Sequence, residues 1–319
     1  MRNISALLTF TALAGGTTLW GACSSNAARQ CNVGADCASG ACNADGTCVA
    51  TPAGDGGNSE ASVGVTDGGS QGDAHFVEDA APPACASGGD SGVLDHDAIP
   101  LAAGLTATFR IATNETIDTT GTLNADGSRS WDFSGALASD KDQIVTTLSP
   151  AGTWWTGSFA TATYATTLSS TATTLGVFDY SANALLLLGV VSPTSDNVTE
   201  TKLTYATPIP ILNFPLHNGQ TWSTTSNVSG TLSGISSFYS ETYDSVVDAY
   251  GTVKTPFATF NALRIGTLLT QASVNKTRTY AWVTACYGTI AKATSATTST
   301  GTAPAENFSQ AAELERLTP

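Results

Sequence analysis

Seven cysteines offer the most chemistry in this chain: Cys23, Cys31, Cys37, Cys42, Cys48, Cys85 and Cys286. Four of them form a run, Cys-x5-Cys-x4-Cys-x5-Cys, from Cys31 to Cys48. A zinc site wants a Cys-x2-Cys pair or histidines close by, and this run has neither. The three histidines, His75, His96 and His217, are scattered. Asp95-His96-Asp97 reads as a solvated loop, and His217-Asn218-Gly219 as a turn tip. Asp140 with Asp142, and Asp244 with Asp248, have the residue types for acid-base work on glycosides. Without an aromatic cleft pattern around them they read as surface acids. His-Glu-x-x-His, a Gly-x-Ser-x-Gly elbow and a phosphate loop do not occur in the sequence. The expectation is a non-enzymatic protein with no catalytic residue, no metal and no cofactor.

Charge narrows the class further. The 319 residues include 26 acids and 12 bases, for a net charge of −14, while 50 are Thr. Too few Lys and Arg remain to neutralise phosphates, so a nucleic-acid partner is not expected. The composition also lacks the Ala, Glu, Lys and Leu excess of a coiled coil. With 41% hydrophobic residues the chain has enough apolar material to fold.

Residues 1–22 read as a cleavable signal. Arg2 is the positive start, Ile4 to Ala14 the short apolar stretch, and Gly15-Gly16 breaks it well before the roughly 20 residues that span a bilayer. Gly21 and Ala22 lead into Cys23, and this ending resembles a bacterial lipoprotein signal. The family places Leu three residues before the cysteine; here Trp20 stands there, with Leu19 one step earlier. The resemblance implies a thioether-linked diacylglycerol on Cys23, an acylated amine, and residues 23–30 held at the outer membrane, on its periplasmic face or at the cell surface. Secretion of an unlipidated chain is the alternative. Lipid at Cys23 leaves six cysteines, an even number suited to disulfides in an exported chain. That parity fits two bridges among Cys31, Cys37, Cys42 and Cys48, with three possible pairings, and one bridge from Cys85 to Cys286.

The segment 31–49 contains Asp36-Cys37-Ala38-Ser39-Gly40-Ala41-Cys42 and the turn Asp45-Gly46. It resembles the small Dickkopf-like cysteine-rich modules of secreted myxobacterial proteins. Such a piece has almost no core and depends on its bridges. Residues 50–94 then hold ten Gly and three Pro, with repeats such as Asp67-Gly68-Gly69, and read as a disordered linker. From 24 to 100 there are 11 acids and one base, whereas residues 101 to 319 hold 15 acids and 10 bases. The acidity therefore belongs mainly to a tether that like charges keep extended.

Residues 95–295 read as one all-β domain, an antiparallel β-sandwich or an open curved β-barrel. Alternation marks strands at Leu105 to Ile111, Thr174 to Tyr180, Ala184 to Val191, Lys202 to Ala206, Gln220 to Leu232 and Phe238 to Ala249. It continues at Phe257 to Thr270, Lys276 to Val283 and Gly288 to Ala293. Asn124-Ala125-Asp126-Gly127 is a hairpin turn between Thr116 to Leu123 and Ser128 to Phe133. Gly152 to Tyr164 is expected to be a strand, with one of Trp154 and Trp155 facing outward. In the tail, 296–319, Ala305 to Leu317 is expected to be a short helix. Trp131-Asp132-Phe133-Ser134, Phe214-Pro215-Leu216-x-x-Gly219-x-x-Trp222, Tyr280-x-Trp282 and the hairpin Gly251-Thr252 to Leu263-Arg264 resemble motifs of a set of uncharacterised bacterial secreted β domains. The set usually has Gly where Ala258 stands. The resemblance implies the β fold and no chemistry. Trp131, Trp222 and Trp282 read as core, and Arg264 as pairing with a strand carboxylate or carbonyl.

Gly89-Asp90-Ser91-Gly92 looks like the nucleophile element of trypsin-like proteases, but the matching upstream His context is missing and the motif precedes the β domain. The expected function is therefore a non-enzymatic, lipid-anchored envelope protein whose β head serves binding or scaffolding at the outer membrane, with a protein among the candidate partners. Binding of an apolar ligand or of a polysaccharide is the alternative. Substitution Cys23→Ser, or globomycin treatment, is expected to leave the chain unprocessed or soluble on cell fractionation. Unchanged membrane retention would remove the anchor.

Overall fold

The computed structural model describes residues 92–196 and 198–319. The signal, the cysteine-rich module and nearly all of the linker lie outside these residues. So do Cys23, Cys31, Cys37, Cys42, Cys48 and Cys85.

The described chain is built almost wholly of strands. In order they are β1 (Val93–Leu94), β2 (Thr106–Thr116), β3 (Thr122–Leu123), β4 (Arg129–Asp132), β5 (Lys141–Thr146), β6 (Tyr164–Thr167), β7 (Leu175–Ser181) and β8 (Ala184–Val191). There follow β9 (Lys202–Asn213), β10 (Leu216–His217), β11 (Thr221–Leu232), β12 (Ile235–Lys254), β13 (Thr259–Gln271), β14 (Asn275–Thr284), β15 (Gly288–Ser295) and β16 (Gln310–Thr318). Twelve of them form one antiparallel sheet in the order β5-β2-β16-β15-β14-β13-β12-β11-β9-β8-β7-β6. Its two ends meet where Leu148 and Ala165 exchange backbone hydrogen bonds of 2.7 and 2.9 Å. The sheet is thus a nearly closed barrel, which leaves little strand edge open.

Two antiparallel runs explain most of the order: from β6 to β9 and from β11 to β15 the neighbours in sequence are neighbours in space. The last strand, β16, inserts between β15 and β2 and so joins the late strands to an early strand of the described chain. The helix expected over Ala305 to Leu317 is therefore not formed. Ala311, Leu314 and Leu317 recur at helical spacing and lie among good helix formers, but Glu313 and Arg316 are buried beside them. Both faces of β16 are covered, so its sequence shows no two-residue alternation, and tertiary pairing overrides the local preference. Lys141–Thr146 is a strand without a sequence signal of that kind, with Ile144 67% exposed. The strand expected over Gly152 to Tyr164 is a loop with a short 3-10 turn at Thr156–Ser158.

The barrel is packed inside and padded outside. Val283 of β14, Tyr164 of β6 and Phe178 of β7 come from opposite arcs of the ring and belong to one buried cluster, so that cluster fills the barrel axis. Trp282 is adjacent to Val283 and points the other way, into a second cluster. There the excursion between β2 and β5 lays Trp131 and Phe133 edge-on against Trp282, with centroids 5.7 and 4.8 Å away. A third cluster sets Trp155 and Phe159 against Val177 and Leu188. Trp131, Trp155 and Trp282 are all nearly inaccessible.

Arg264 ties the second cluster to the sheet. The register of β12 against β13 shifts between Val247 and Ala249, so Asp248 is the extra residue of a bulge. Its carboxylate accepts two hydrogen bonds of 2.8 Å from Arg264 Nε and Nη2. Arg264 Nη1 donates to Thr119 O and, at 3.0 Å, to Asn307 Oδ1. The guanidinium lies over the rings of Tyr280 and Trp131, 4.3 and 5.5 Å from their centroids. Removing the carboxylate by Asp248→Ala strands a buried cation, and is expected to cost about 3 kcal/mol. Urea unfolding of the full chain measures it; a midpoint unchanged from wild type would show that the pair is not structural.

Candidate functional site

The cysteine predicted to bridge the linker to the last strands is the only one among the described residues. Cys286 is disulfide-bonded, and its partner lies outside them. It sits at the β14–β15 turn with φ 67°, and its N–H donates to Ala98 O at 2.7 Å. The segment after β1 is held from the other side too: Tyr180 Oη donates to His96 O and Ile99 O at 2.6 and 2.5 Å. His96 stacks on Tyr180 with centroids 4.3 Å apart, and its Nδ1 is 2.8 Å from Asp97 Oδ1. Residues 93–101 therefore cross one end of the barrel, from the β7–β8 side to the β14–β15 turn.

The acids singled out in the sequence are not brought together as pairs. Asp142 grips Arg110, with Nε to Oδ1 at 2.7 Å; Asp140 accepts from the buried Arg316; Asp244 accepts from Ser223 at 2.7 Å; Asp248 holds Arg264. Among the described residues, no three of His, Cys, Asp and Glu are grouped as metal ligands. Trp154 and Trp155 do not split across a strand. Trp155 is buried, and Trp154 is half-buried with Nε1 donating to Ser192 O at 3.1 Å. The loop packs both rings downward because Phe159 and Ala162 share the same apolar patch.

The polar surface lies where the β3–β4 hairpin meets the end of β12. β4 runs parallel to β12, pairing Arg129 to Asp132 with Gly251 to Lys254. Gly251, at φ 149°, permits this approach, since a Cβ there would fall 1.8 Å from Arg129 O. The hairpin turn is held by its own side chains: Asp126 Oδ1 accepts from Ser128 N and Oγ at 3.0 and 2.7 Å, and Asn124 Nδ2 donates to Ser128 Oγ and Ser130 Oγ. Those serine bonds hold the Asp126 carboxyl below its ordinary pKa. Asp132 is lowered in the same way, first by Ser134 and less by Lys254, 3.6 Å away.

Two open clefts flank this junction. One, of about 430 Å³, is lined by Asp118, Thr122, Ser130, Asp132, Thr252 and Lys254 among others. The other, of about 670 Å³, is lined by Asp126, Ser128, His217, Asn218, Tyr250 and Asn261 among others, and Thr252 lines both. Tyr250 is 37% exposed, and its Oη donates to Asp126 O at 3.3 Å. The lining offers hydroxyls, amides, three carboxylates (Asp118, Asp126 and Asp132) and Lys254, with Val93, Leu94, Ala262 and Leu263 beside them in the larger cleft and the ring of Tyr250 partly exposed. Such a set donates and accepts hydrogen bonds from neutral polar ligands. The sequence singled out Asp126 and His217 only as turn residues. Tyr250 and Thr252 join them through β4–β12 pairing, which spans about 120 positions of sequence and leaves no local signal.

Inside the barrel, charged groups also occur, and each is partnered. Glu241 accepts from Tyr205 Oη at 2.7 Å, Tyr243 Oη at 2.9 Å and Gln271 Nε2 at 2.8 Å. Burial, reinforced by Glu241, pushes nearby Tyr239 up to about 12. Lys292 Nζ meets Glu315 at 2.5 Å and donates to Leu168 O, while Glu313 accepts from Ser170. Burial pushes Glu315 up to about 7, with Lys292 opposing and Glu313 adding to the rise. Unfolding returns Glu315 to the ordinary carboxylate range, so the folded chain binds more protons between the two values. Its contribution is fully present below the unfolded pKa and is lost as pH rises through about 7, a change of roughly 3 kcal/mol. Glu315→Gln is expected to flatten that slope in urea midpoints measured from acidic to mildly alkaline pH. An equal slope in the variant would assign the titration elsewhere.

Comparison with protein-family models, curated proteins and solved structures finds no match for this chain.

Proposed function

We propose that the chain is an exported envelope protein, anchored in the outer membrane by lipid on Cys23, whose barrel is a non-enzymatic head that binds a polysaccharide in the paired clefts. The observation that carries this reading is the lining of the clefts. Tyr250 offers a ring face for a sugar, and Asp126, Ser128, Asn218 and Thr252 surround it with hydrogen-bonding groups. The larger cleft has the volume of a typical small-ligand site, about 300–1,000 Å³. Its mixture of hydrogen-bonding groups with a ring face and small apolar side chains suits a sugar, which carries hydroxyls at its edge and C–H groups on its faces. An apolar ligand has less support, because aliphatic and aromatic side chains from opposite arcs occupy the barrel axis. The acidic tether supports a head held off the membrane, where polymers of the envelope are within reach.

The test is affinity electrophoresis of the full chain in native gels containing envelope polysaccharides. Retarded mobility is expected for the wild type. Tyr250→Ala should weaken the retardation about tenfold, the loss of roughly 1.4 kcal/mol of stacking, with the circular dichroism spectrum unchanged. Unretarded wild type across the set of polysaccharides, or retardation that Tyr250→Ala leaves intact, would overturn the reading.

A further inference from the structure

The β11–β12 hairpin outruns its neighbour. β12 pairs with β11 all the way to Leu232–Ile235, but its ladder with β13 begins only at Glu241–Gln271. The last backbone bond on that side is Ala272 N to Ser240 O, at 2.8 Å. From Ile235 to Tyr239 the strand therefore has one partnered edge and one open edge among the described residues. The turn Ser233-Gly234 has φ of 48° and 78°, the signature of a two-residue hairpin loop. In such a hairpin Leu232–Ile235 is a hydrogen-bonded pair, and alternate residues face alternate ways. Ser237 and Tyr239 thus turn their backbone groups toward β11, and Ser236 and Phe238 turn theirs outward. Ser240, next in the outward series, accepts from Ala272 as this pattern requires.

The open edge is held ready. Gly234 N donates to Glu200 O at 3.1 Å, and Ser233 N to Thr201 Oγ1 at 3.0 Å. A Cβ on Gly234 would lie 1.8 Å from Val198 O, so the tip sits tight on the β8–β9 connection. The usual protections of a strand edge are lacking: no Lys, no Pro and no bulge interrupts Ile235 to Tyr239. Instead Ile235 is 71% and Phe238 75% exposed, with Val198 74% exposed nearby. The twenty residues from Thr221 to Ser240 contain no charge at all, in a chain of net charge −14.

We propose that this edge is a self-association site, at which two copies of the chain add strand to strand. Antiparallel pairing about a two-fold axis through Ser237 sets Ser236 opposite Phe238 of the second copy, and Phe238 opposite its Ser236. Each of these two pairs exchanges two backbone hydrogen bonds. On the same register Ile235 faces Tyr239 of the second copy, a β-branched and aromatic cross-strand pair. A second copy fits better than a basic or acidic partner because the hairpin offers no charge to either. It is also a surface on which two acidic chains approach without like charges meeting. The proposal does not depend on the clefts, which lie at the opposite end of β12.

The experiment is sedimentation of the full chain in detergent, with Ser236→Pro and Phe238→Ser. A concentration-dependent dimer is expected for the wild type. Ser236→Pro removes an outward N–H that the hairpin itself does not use, so its dissociation constant should rise at least about tenfold at an unchanged melting temperature. Phe238→Ser, which keeps the backbone, is expected to weaken the dimer similarly and serves if the proline variant is unstable. Ser237→Cys should form a disulfide-linked dimer under oxidation, because the two-fold axis places the two Ser237 Cα atoms within bridging distance. A wild type that stays monomeric at the highest concentrations, or a dimer that both substitutions leave intact, would overturn the proposal.

Discussion

The guanidinium of Arg264 is the contact on which the arrangement of this barrel depends. It is 4% exposed, and a charge so placed needs a counter-charge and partners for its remaining donors. The sheet supplies the counter-charge by bulging at Asp248, and the chain on either side of the barrel supplies the rest. Thr119 O comes from the excursion after β2, and Asn307 from the connection into β16. One side chain thus joins the centre of the sheet to the segments that begin and end it. Its stacking on Tyr280 and Trp131 fixes the rings that pad the outer face. Arg316 repeats the device in the same cluster, donating to Asp140, Gly135 O and Phe133 O.

These demands explain the low charge of the domain. Several strands of the barrel are covered on both faces, inside by the axial cluster and outside by two padding loops. A strand in that position can carry a charge only where a partner is built for it, as at Lys292 and Glu315. Thr and Ser fill the intervening positions because their hydroxyls find carbonyls or one another across strands. Thr284 Oγ1 donates to Asn261 O at 2.6 Å, and Ser245 Oγ lies 2.9 Å from Thr267 Oγ1. The threonine excess noted in the composition is therefore in part the cost of a ring with little free edge.

The clefts arise from the one parallel pairing in the sheet. β4 reaches the C-terminal half of β12 from far away in sequence, and only a glycine at 251 lets the backbones come so close. That approach leaves a step on each side of the small hairpin, and the steps are the clefts. The residues that line them are ordinary turn and strand residues individually. Asp126 orders its turn and Thr252 bonds Ser130 across the pairing. Their combination is a property of the crossing and of nothing nearer in sequence.

Local rules suffice for the strands that show alternation with one covered face. Gln220 to Leu232, predicted as a strand, forms β11 over Thr221–Leu232 with alternating burial, and the Asn124 to Gly127 turn joins β3 to β4 as its residue types require. Arg264 is legible too, because a cation in an apolar run must find an acid or a carbonyl. The sequence by itself determined an all-β fold for the described residues, many of its turns, and its core tryptophans at 131 and 282. Only tertiary structure decided that the sheet curls to meet itself, that the tail is a strand, and that Tyr250 shares a cleft with Asp126. Curling and closure depend on which edges find each other, and a strand buried on both sides loses the period that would announce it. Pairings over a hundred residues apart have no local trace, because the energy that selects them comes from surfaces that exist only once the barrel has formed.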